Sequence, residues 1–175
     1  MNEIRALGPG DAEAWFLLRR EMLLAAPLSF AASPEDDRGS SLEAVRELLA
    51  KAPEHVVFGA FAGAPEPALV GAVGCYRESR LKQAHRAALW GMYVREAYRG
   101  RGLGAGLVAA ALAHARTLAG VEQLVLSVSE TAPAARRMYE RAGFVCWGTE
   151  PGALRHASVT ADEHHMTLRL LVAPE

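Results

Sequence analysis

Short runs in which apolar residues are continuous, or alternate with polar ones, predict at least six β-strands. Residues 2–7 form the first run, and the continuous apolar runs His55–Ala62 and Ala68–Tyr76 predict two buried strands. Residues 63–67, rich in glycine and proline, predict a hairpin-style connection between those two strands. Later strands are predicted at Ala88–Val94, around Leu124 to Val128, and around Met166 to Leu170.

Helical spacing of apolar residues predicts two helices before the central strands. Trp15, Leu18 and Met22 lie on one side of a helix that Asp11 is expected to cap and that Pro27 ends. The segment 40–43 matches a capping box and predicts a second helix that extends through Leu49.

Two further helices are predicted in the second half of the chain. The alanine-rich run from Leu103 to Ala119 places its leucines near one side, and Gly120 is suited to end it. A helix that carries Ala132, Ala135 and Tyr139 follows the next strand. A strand, a helix and a strand in this order imply a parallel crossover, and therefore a mixed α/β sheet in one domain over residues 1–175.

Composition and charge exclude several functional classes. The formal net charge of −1 argues against a protein that binds nucleic acid by neutralising phosphates. The chain contains neither an apolar run of about 18 residues nor an apolar signal core, so a cytoplasmic location is expected. Cys75 and Cys146 lie in strand-like runs and are expected to be free thiols.

The loop Arg99–Gly104 carries the clearest chemical signal. Three glycines alternate there directly before a helix, so backbone amides and the helix dipole converge where a phosphate can bind. A flexible turn without a ligand is the simplest alternative. A Walker loop is excluded because no Gly-Lys-Ser/Thr follows, and the spacing fits a dinucleotide fingerprint poorly, although Glu130 could imitate its ribose-binding acid.

Two motifs make the chain similar to the GNAT superfamily of N-acetyltransferases. Val94 followed by Arg99, Gly102 and Gly104 matches the loop signature of that family. Downstream, a second family motif is matched by Ala135, Met138, Tyr139, Gly143 and Phe144. Residues 162–166 are similar to the last strand of the family, so the resemblance covers nearly the whole chain. It implies a mixed, mostly antiparallel sheet, flanked by helices, in which a central parallel strand pair splays to admit the cofactor. Gly91 is a plausible bulge position beside that opening.

The resemblance implies that acetyl-CoA is the donor and assigns residues to it. Backbone groups of Met92, Tyr93 and Val94 would face the pantetheine arm and the thioester. The pyrophosphate would lie against the loop residues Arg99, Gly100, Arg101, Gly102, Leu103, Gly104 and Ala105.

Tyr139 is the candidate general acid, because a phenol is protonated at neutral pH and can return a proton to the departing thiolate. A half-buried aromatic anchor is the alternative role for this residue. The predicted activity is transfer of an acetyl group to a primary amine by direct attack. The alternative is a non-catalytic module that binds or senses acyl-CoA.

Several features leave alternatives open. Ala132 stands where the family often has an asparagine that contacts pantetheine, and Ser129 or Thr131 could substitute for it. Glu78, Glu21, His85 or a water chain could act as the general base, and none is assigned.

Metal binding by His156, His164 and His165 is not expected, because the adjacent His164 and His165 would point to opposite faces of a strand. The reaction that the resemblance implies also needs no metal. The acidic segment 33–38 could attract a cationic amine or be a solvated loop. The acceptor, a small molecule or a peptide, is not identified, and a homodimer is compatible with the sequence.

Overall fold

The computed structural model describes residues 2–63 and 65–170, which form seven strands and four α-helices. The helices are α1 (Ala12–Ala25), α2 (Leu42–Leu49), α3 (Leu103–Thr117) and α4 (Pro133–Arg141). The strands are β1 (Glu3–Ala6), β2 (His55–Ala62), β3 (Ala68–Arg77), β4 (Arg86–Val94), β5 (Gln123–Ser129), β6 (Val145–His156) and β7 (Val159–Arg169). In the part of the chain that is described, no helix has the length and apolar character needed to cross a membrane.

The strands form one mixed sheet in the order β1-β2-β3-β4-β5-β7-β6. Every neighbouring pair is antiparallel except β4 and β5, which are parallel and connected through α3. One apolar core joins α3 and α4 to the sheet, and a second core joins α1 and α2 to it. Neighbouring strand residues Leu69 and Val70 belong to different cores, so the two helix pairs cover opposite faces of the sheet.

The parallel pair separates soon after it begins. Only Arg86, Ala87 and Ala88 of β4 pair with β5, opposite Gln123 to Val125. From Leu89 onward, no strand lies against the β5-facing edge of β4 within the described residues. The predicted splay is therefore confirmed.

A bulge in β4 accompanies this separation. Trp90 lies opposite Gly74 and Tyr93 lies opposite Ala72, so two β4 residues, Gly91 and Met92, share the space opposite Val73. Gly91 has a φ of 61°, the left-handed conformation that a glycine adopts at the first position of one common type of bulge. The predicted bulge position is confirmed.

Several details differ from the sequence-based predictions. Asp11 does not cap α1 with its side chain; its carboxylate accepts hydrogen bonds from the Arg5 guanidinium and from the Gly8 amide. The residue that caps α2 is Ser41 rather than Ser40, since Ser41 Oγ accepts from the Ala44 amide at 3.1 Å. Helix α3 ends at Thr117, two residues earlier than predicted.

Strand β6 was predicted only as a strand-like run around Cys146, without bounds. Its 12 residues contain two glycines and a proline, and irregular register with β7 interrupts it twice. No sustained alternation of apolar residues therefore marks it.

Candidate functional site

The loop before α3 presents a row of unused backbone donors. Among the described residues, none of the six amides from Gly100 to Ala105 donates a hydrogen bond; the Arg99 and Gly106 amides on either side do, to Glu96 and Gly102 carbonyls. Gly100 and Gly102 have φ values of 74° and 79°, and the space where a side chain would begin is open at both. Free amides at a helix N-terminus form a site for an anion.

The two arginines of the loop also brace its backbone. Arg99 Nε donates to the Val94 carbonyl at 2.9 Å, and a guanidinium nitrogen of Arg101 donates to the Ala97 carbonyl at 3.0 Å. Both residues remain exposed, so their charge adds to the positive potential of the loop.

The last residues of β4, from Met92 to Val94, point to opposite faces of the sheet. Met92 and Val94 pack on the core of α3 and α4. The Tyr93 side chain lies on the other face, where its hydroxyl donates to Glu21 at 3.3 Å. Burial and the nearby Glu21 carboxylate raise the pKa of Tyr93. The Tyr93 ring thus packs in the core of α1 and α2, with the Arg99 guanidinium 5.8 Å from its centroid. Its backbone is the part that lies along the unpaired edge of β4.

Tyr139 is fixed by the way α4 ends. The Phe144 amide donates to the Tyr139 carbonyl at 3.0 Å, and the Gly143 amide donates to the Glu140 carbonyl at 3.0 Å. This is the hydrogen-bond pattern of a Schellman motif, which brings the side chain of the third residue from the helix end against the residue after the glycine. The Tyr139 and Phe144 rings accordingly meet edge to face at 5.8 Å.

The environment of Tyr139 keeps its phenol protonated. The residue is 5% exposed, and burial raises the pKa of its hydroxyl well above the ordinary value. Within the described residues, the hydroxyl forms no hydrogen bond that would compete for its proton. The anchoring role and the acid role are therefore compatible in one side chain.

These elements fit a thioester carrier with a diphosphate. The free amides of the loop suit the diphosphate, and the unpaired edge of β4 suits an extended amide-containing arm. Tyr139 lies in the core on the same face of the sheet as Met92 and Val94. The structure thus brings together three groups of residues that the sequence singled out separately.

A cavity of about 700 Å³ opens on the opposite face, under α1, α2 and their connection. Five aromatic side chains line it: Trp15, Phe30, His55, Tyr76 and Trp90. Gly91 and Ser127, which flank the opening between β4 and β5, also line it. The opening in the sheet therefore lies between the glycine loop and this cavity.

Part of the acidic segment is used to build the cavity wall. Asp37 accepts from Arg19 at 2.6 Å, and both side chains are more than nine-tenths buried. The Arg19 guanidinium also lies 5.2 Å from the Trp90 ring centroid. Asp36 accepts from the Ser33 amide at 2.6 Å. The segment is thus ordered by its own contacts, and Asp37 is neutralised by its partner.

A second recess, of about 540 Å³, continues along the same face over β4, β5 and β7. It shares Tyr76, Leu89, Trp90 and Ser127 with the larger cavity. Its far rim carries Trp147, which stacks on His165 at 5.4 Å and is 68% exposed.

The three side chains predicted as candidates for the general base lie in different parts of the molecule. Glu21 is held by Arg95 at 2.8 Å, and Glu78 lies 3.7 Å from Arg86 on the smaller recess. His85 is exposed where β4 begins, away from the splayed end. None of the three lines the 700 Å³ cavity.

Sequence reasoning missed Glu163. This residue of β7 lines the cavity together with Gly91 and Ser127, and its carboxylate forms no ion pair among the described residues. No sequence motif distinguishes it, since it lies in the run Asp162-Glu163-His164-His165. The neighbouring His164 and His165 contact different partners, Thr149 and Glu150.

Ser129 and Thr131, the two suggested substitutes for an asparagine at position 132, lie close together. The Ser129 hydroxyl contacts the Thr131 hydroxyl at 2.9 Å and accepts from the Thr131 amide. Thr131 also donates to the Leu28 carbonyl at 3.4 Å. Both suggested substitutes therefore make bonds within the protein.

Comparison with known proteins gives one consistent result. The sequence model of the Acetyltransferase (GNAT) family matches residues 20–144. No curated protein matches the sequence significantly. Among solved structures, an acetyltransferase of the GNAT family from Streptococcus pneumoniae is 20% identical with a TM-score of 0.83; the match covers 97% of this chain and 99% of that one.

Two further structures extend the comparison. A GCN5-related N-acetyltransferase from Kribbella flavida is 25% identical with a TM-score of 0.80, over 97% of this chain and 98% of that one. NAA60 of Arabidopsis thaliana in complex with acetyl-CoA is 16% identical with a TM-score of 0.74, and the match covers 97% of this chain and 99% of that one.

Proposed function

The chain belongs to the Acetyltransferase (GNAT) family, and we therefore propose that it transfers the acetyl group of acetyl-CoA to a primary amine by direct attack. The family uses acetyl-CoA as its donor, and a structural neighbour was solved with acetyl-CoA bound. The amine as acceptor and the roles of individual residues are our inference from the geometry.

One observation carries the proposal. The opening between β4 and β5 has a loop of free backbone amides on one face and a cavity lined with aromatic residues on the other. A donor and an acceptor entering from opposite faces would meet at that opening. Such placement of two reactants is itself a large contribution to catalysis.

On the donor face, the chain supplies binding and orientation. The amides of Gly100 to Ala105 would hold the diphosphate, with Arg99 and Arg101 adding charge. The backbone of Met92, Tyr93 and Val94 would orient the pantetheine arm along the unpaired edge of β4. Acetyl-CoA, when bound, supplies an activated acyl thioester.

Tyr139 would supply the proton that the leaving sulfur needs. Its hydroxyl stays protonated because burial raises its pKa, and the Schellman contact with Phe144 holds the ring on the donor face. Proton transfer from a positioned side chain contributes about 10²- to 10⁴-fold to rate.

On the acceptor face, Glu163 is our candidate to receive the amine. It is the cavity carboxylate contributed by the sheet itself, and it lines the cavity beside Gly91 and Ser127. An unpaired carboxylate there would hold an incoming ammonium and accept its proton before attack.

Two measurements test the proposal. Isothermal titration with acetyl-CoA should give saturable binding, and the acetylated product should appear with one equivalent of free thiol when an amine acceptor is added. Binding without thiol release, across amines of varied size and charge, would instead support the acyl-CoA binding module. Absence of binding at millimolar acetyl-CoA would contradict both functions.

A further inference from the structure

The wall that β2 contributes to the 700 Å³ cavity has a distinct character. His55, the first residue of β2, lines it, and β2 lies two strands from β4. Two strand spacings alone amount to about 10 Å, and through Tyr76 the register places His55 level with Ala88 rather than with Gly91. An acceptor whose amine reaches the opening would therefore place its other end near His55.

Two cations surround that end. Arg38, from the α1–α2 connection, and Lys51, which follows α2, both line the cavity. Neither forms an ion pair among the described residues. The Lys51 carbonyl accepts the His55 amide at 3.1 Å, which keeps the two residues adjacent.

Carboxylates on the same cavity do not cancel this charge at the imidazole. Asp37 is paired with Arg19, Asp36 accepts from the Ser33 amide, and Glu163 lies on β7 at the other end. Glu47 of α2 also lines the cavity. Burial lowers the pKa of His55 to about 4, and the charges of Lys51 and Arg38 add to this effect.

The His55 ring has a polar atom without a partner. Its Nδ1 is buried and makes no hydrogen bond among the described residues. The ring is held by stacking on Tyr76 at 6.0 Å and by contact with Trp90 at 5.5 Å. Because Nδ1 is closed to the cavity, the cationic groups that an anion near His55 can contact are Lys51 and Arg38.

We propose that the acceptor is an amine with an anionic group, such as a carboxylate, at least about 10 Å from its nitrogen. The anionic group binds Lys51 and Arg38, and the apolar body lies against His55, Trp90 and their aromatic neighbours. This inference rests on the proposed function, because the amine must reach the opening in the sheet.

Three acceptors of equal length test the inference: 8-aminooctanoate, its methyl ester, and 1,8-diaminooctane. Thiol release is measured at saturating acetyl-CoA to give kcat/KM for each. We expect the acid to exceed both the ester and the diamine by at least about tenfold, the size of one charge-assisted contact. In Lys51→Gln, the acid-to-ester ratio should fall about tenfold. Lys82→Gln, an exposed lysine outside the cavity, should leave this ratio as in the wild type.

A binding measurement separates this inference from the proposed function. Titration with N-acetyl-8-aminooctanoate should show weaker binding to Lys51→Gln than to Lys82→Gln, whether or not turnover is observed. Equal use of acid and ester, preference for the diamine, or a preference unaffected by Lys51→Gln would overturn the inference and leave the proposed function intact. Failure of every amine to release thiol would overturn the function itself.

Discussion

Gly74 of β3 lies directly opposite Trp90 of β4, and the Trp90 indole occupies the space that a side chain on Gly74 would need. Trp90 precedes the bulge residue Gly91 and forms part of the cavity wall. It also meets Trp15 edge to face at 6.2 Å. The absence of a side chain at position 74 thus sets the shape of the acceptor face.

Replacing Gly74 by alanine should therefore displace Trp90. The rigid indole cannot yield locally, and overpacking of this kind costs about 1–3 kcal/mol. We expect a lower free energy of unfolding in urea and a raised acceptor KM. Gly148→Ala is the matched control, since a side chain there meets open space. Equal effects of the two substitutions would contradict the role given to Trp90.

The glycine loop can be tested with two glycines of similar backbone conformation. Gly102 has a φ of 79° and Gly152 a φ of 62°, and neither has a neighbour within 4 Å of an added Cβ. Alanine at either site should cost about 1–2 kcal/mol of stability. Only Gly102→Ala should weaken acetyl-CoA binding, raising Kd about tenfold, because the substitution distorts the row of free amides in the loop. Unchanged affinity in Gly102→Ala would remove the loop from the donor site.

Tyr139→Phe should separate the acid role from the anchoring role. The phenylalanine ring can keep the contact with Phe144, so stability and acetyl-CoA affinity should change little. We expect kcat to fall about 100-fold, because the proton donor is lost. Tyr98→Phe, outside the α4 motif, serves as the control. Wild-type turnover by Tyr139→Phe would leave this residue a purely structural anchor.

Burial of Tyr139 also has a consequence for the pH profile. Since its pKa is raised, the phenol keeps its proton beyond the range in which an ordinary tyrosine ionises. Ionisation of Tyr139 should therefore not lower wild-type kcat between pH 8 and about 10. Any fall in kcat over this range should be present in Tyr139→Phe as well. A fall present in wild type and absent from the variant would contradict the burial argument.

The buried pair of Arg19 and Asp37 should matter far more than an exposed pair. Asp37→Ala leaves a guanidinium uncompensated beside Trp90 and should cost about 3–5 kcal/mol. Glu140→Ala, which removes the exposed partner of Arg136 on α4, should cost under about 0.5 kcal/mol. Chemical denaturation of both variants measures the difference, and similar losses would argue against a buried pair.

His55 should make stability depend on pH in a defined window. Its pKa is lowered from 6.5 to about 4, so between these values the unfolded chain binds the proton more strongly than the native protein. Wild-type stability should fall as pH decreases from 6.5 toward 4. The slope of the unfolding free energy against pH should be smaller in His55→Phe, by an amount that corresponds to at most one proton taken up on unfolding. Above pH 7 the slopes of the two proteins should agree. Identical slopes in the acid window would show that the native ring protonates freely.

Much of the donor side could be predicted because its signals are local. The glycines at 100, 102 and 104 directly precede an alanine-rich helix, so the free amides of this loop could be predicted from adjacent residues. The motif around Tyr139 has a local physical cause too, because Gly143 and Phe144 complete a Schellman end only a few residues away. Strand β2 was predicted with its observed bounds, since a continuous apolar run specifies a buried strand.

The acceptor side could not be predicted, because its residues come from distant parts of the chain. His55, Trp90 and Glu163 share a cavity only after β2, β4 and β7 enter one sheet. Each is unremarkable in its own segment, and the acidic run at 33–38 gave no sign that Asp37 pairs with Arg19.

The sequence by itself determined the helices, most strands and the backbone chemistry of the glycine loop. These depend on residues within a few positions of one another, where periodicity and glycine conformation act directly. The tertiary structure alone decided where the parallel strands separate and which side chains face the opening. Those features depend on register and packing between segments that are distant in the chain, and no local pattern records them.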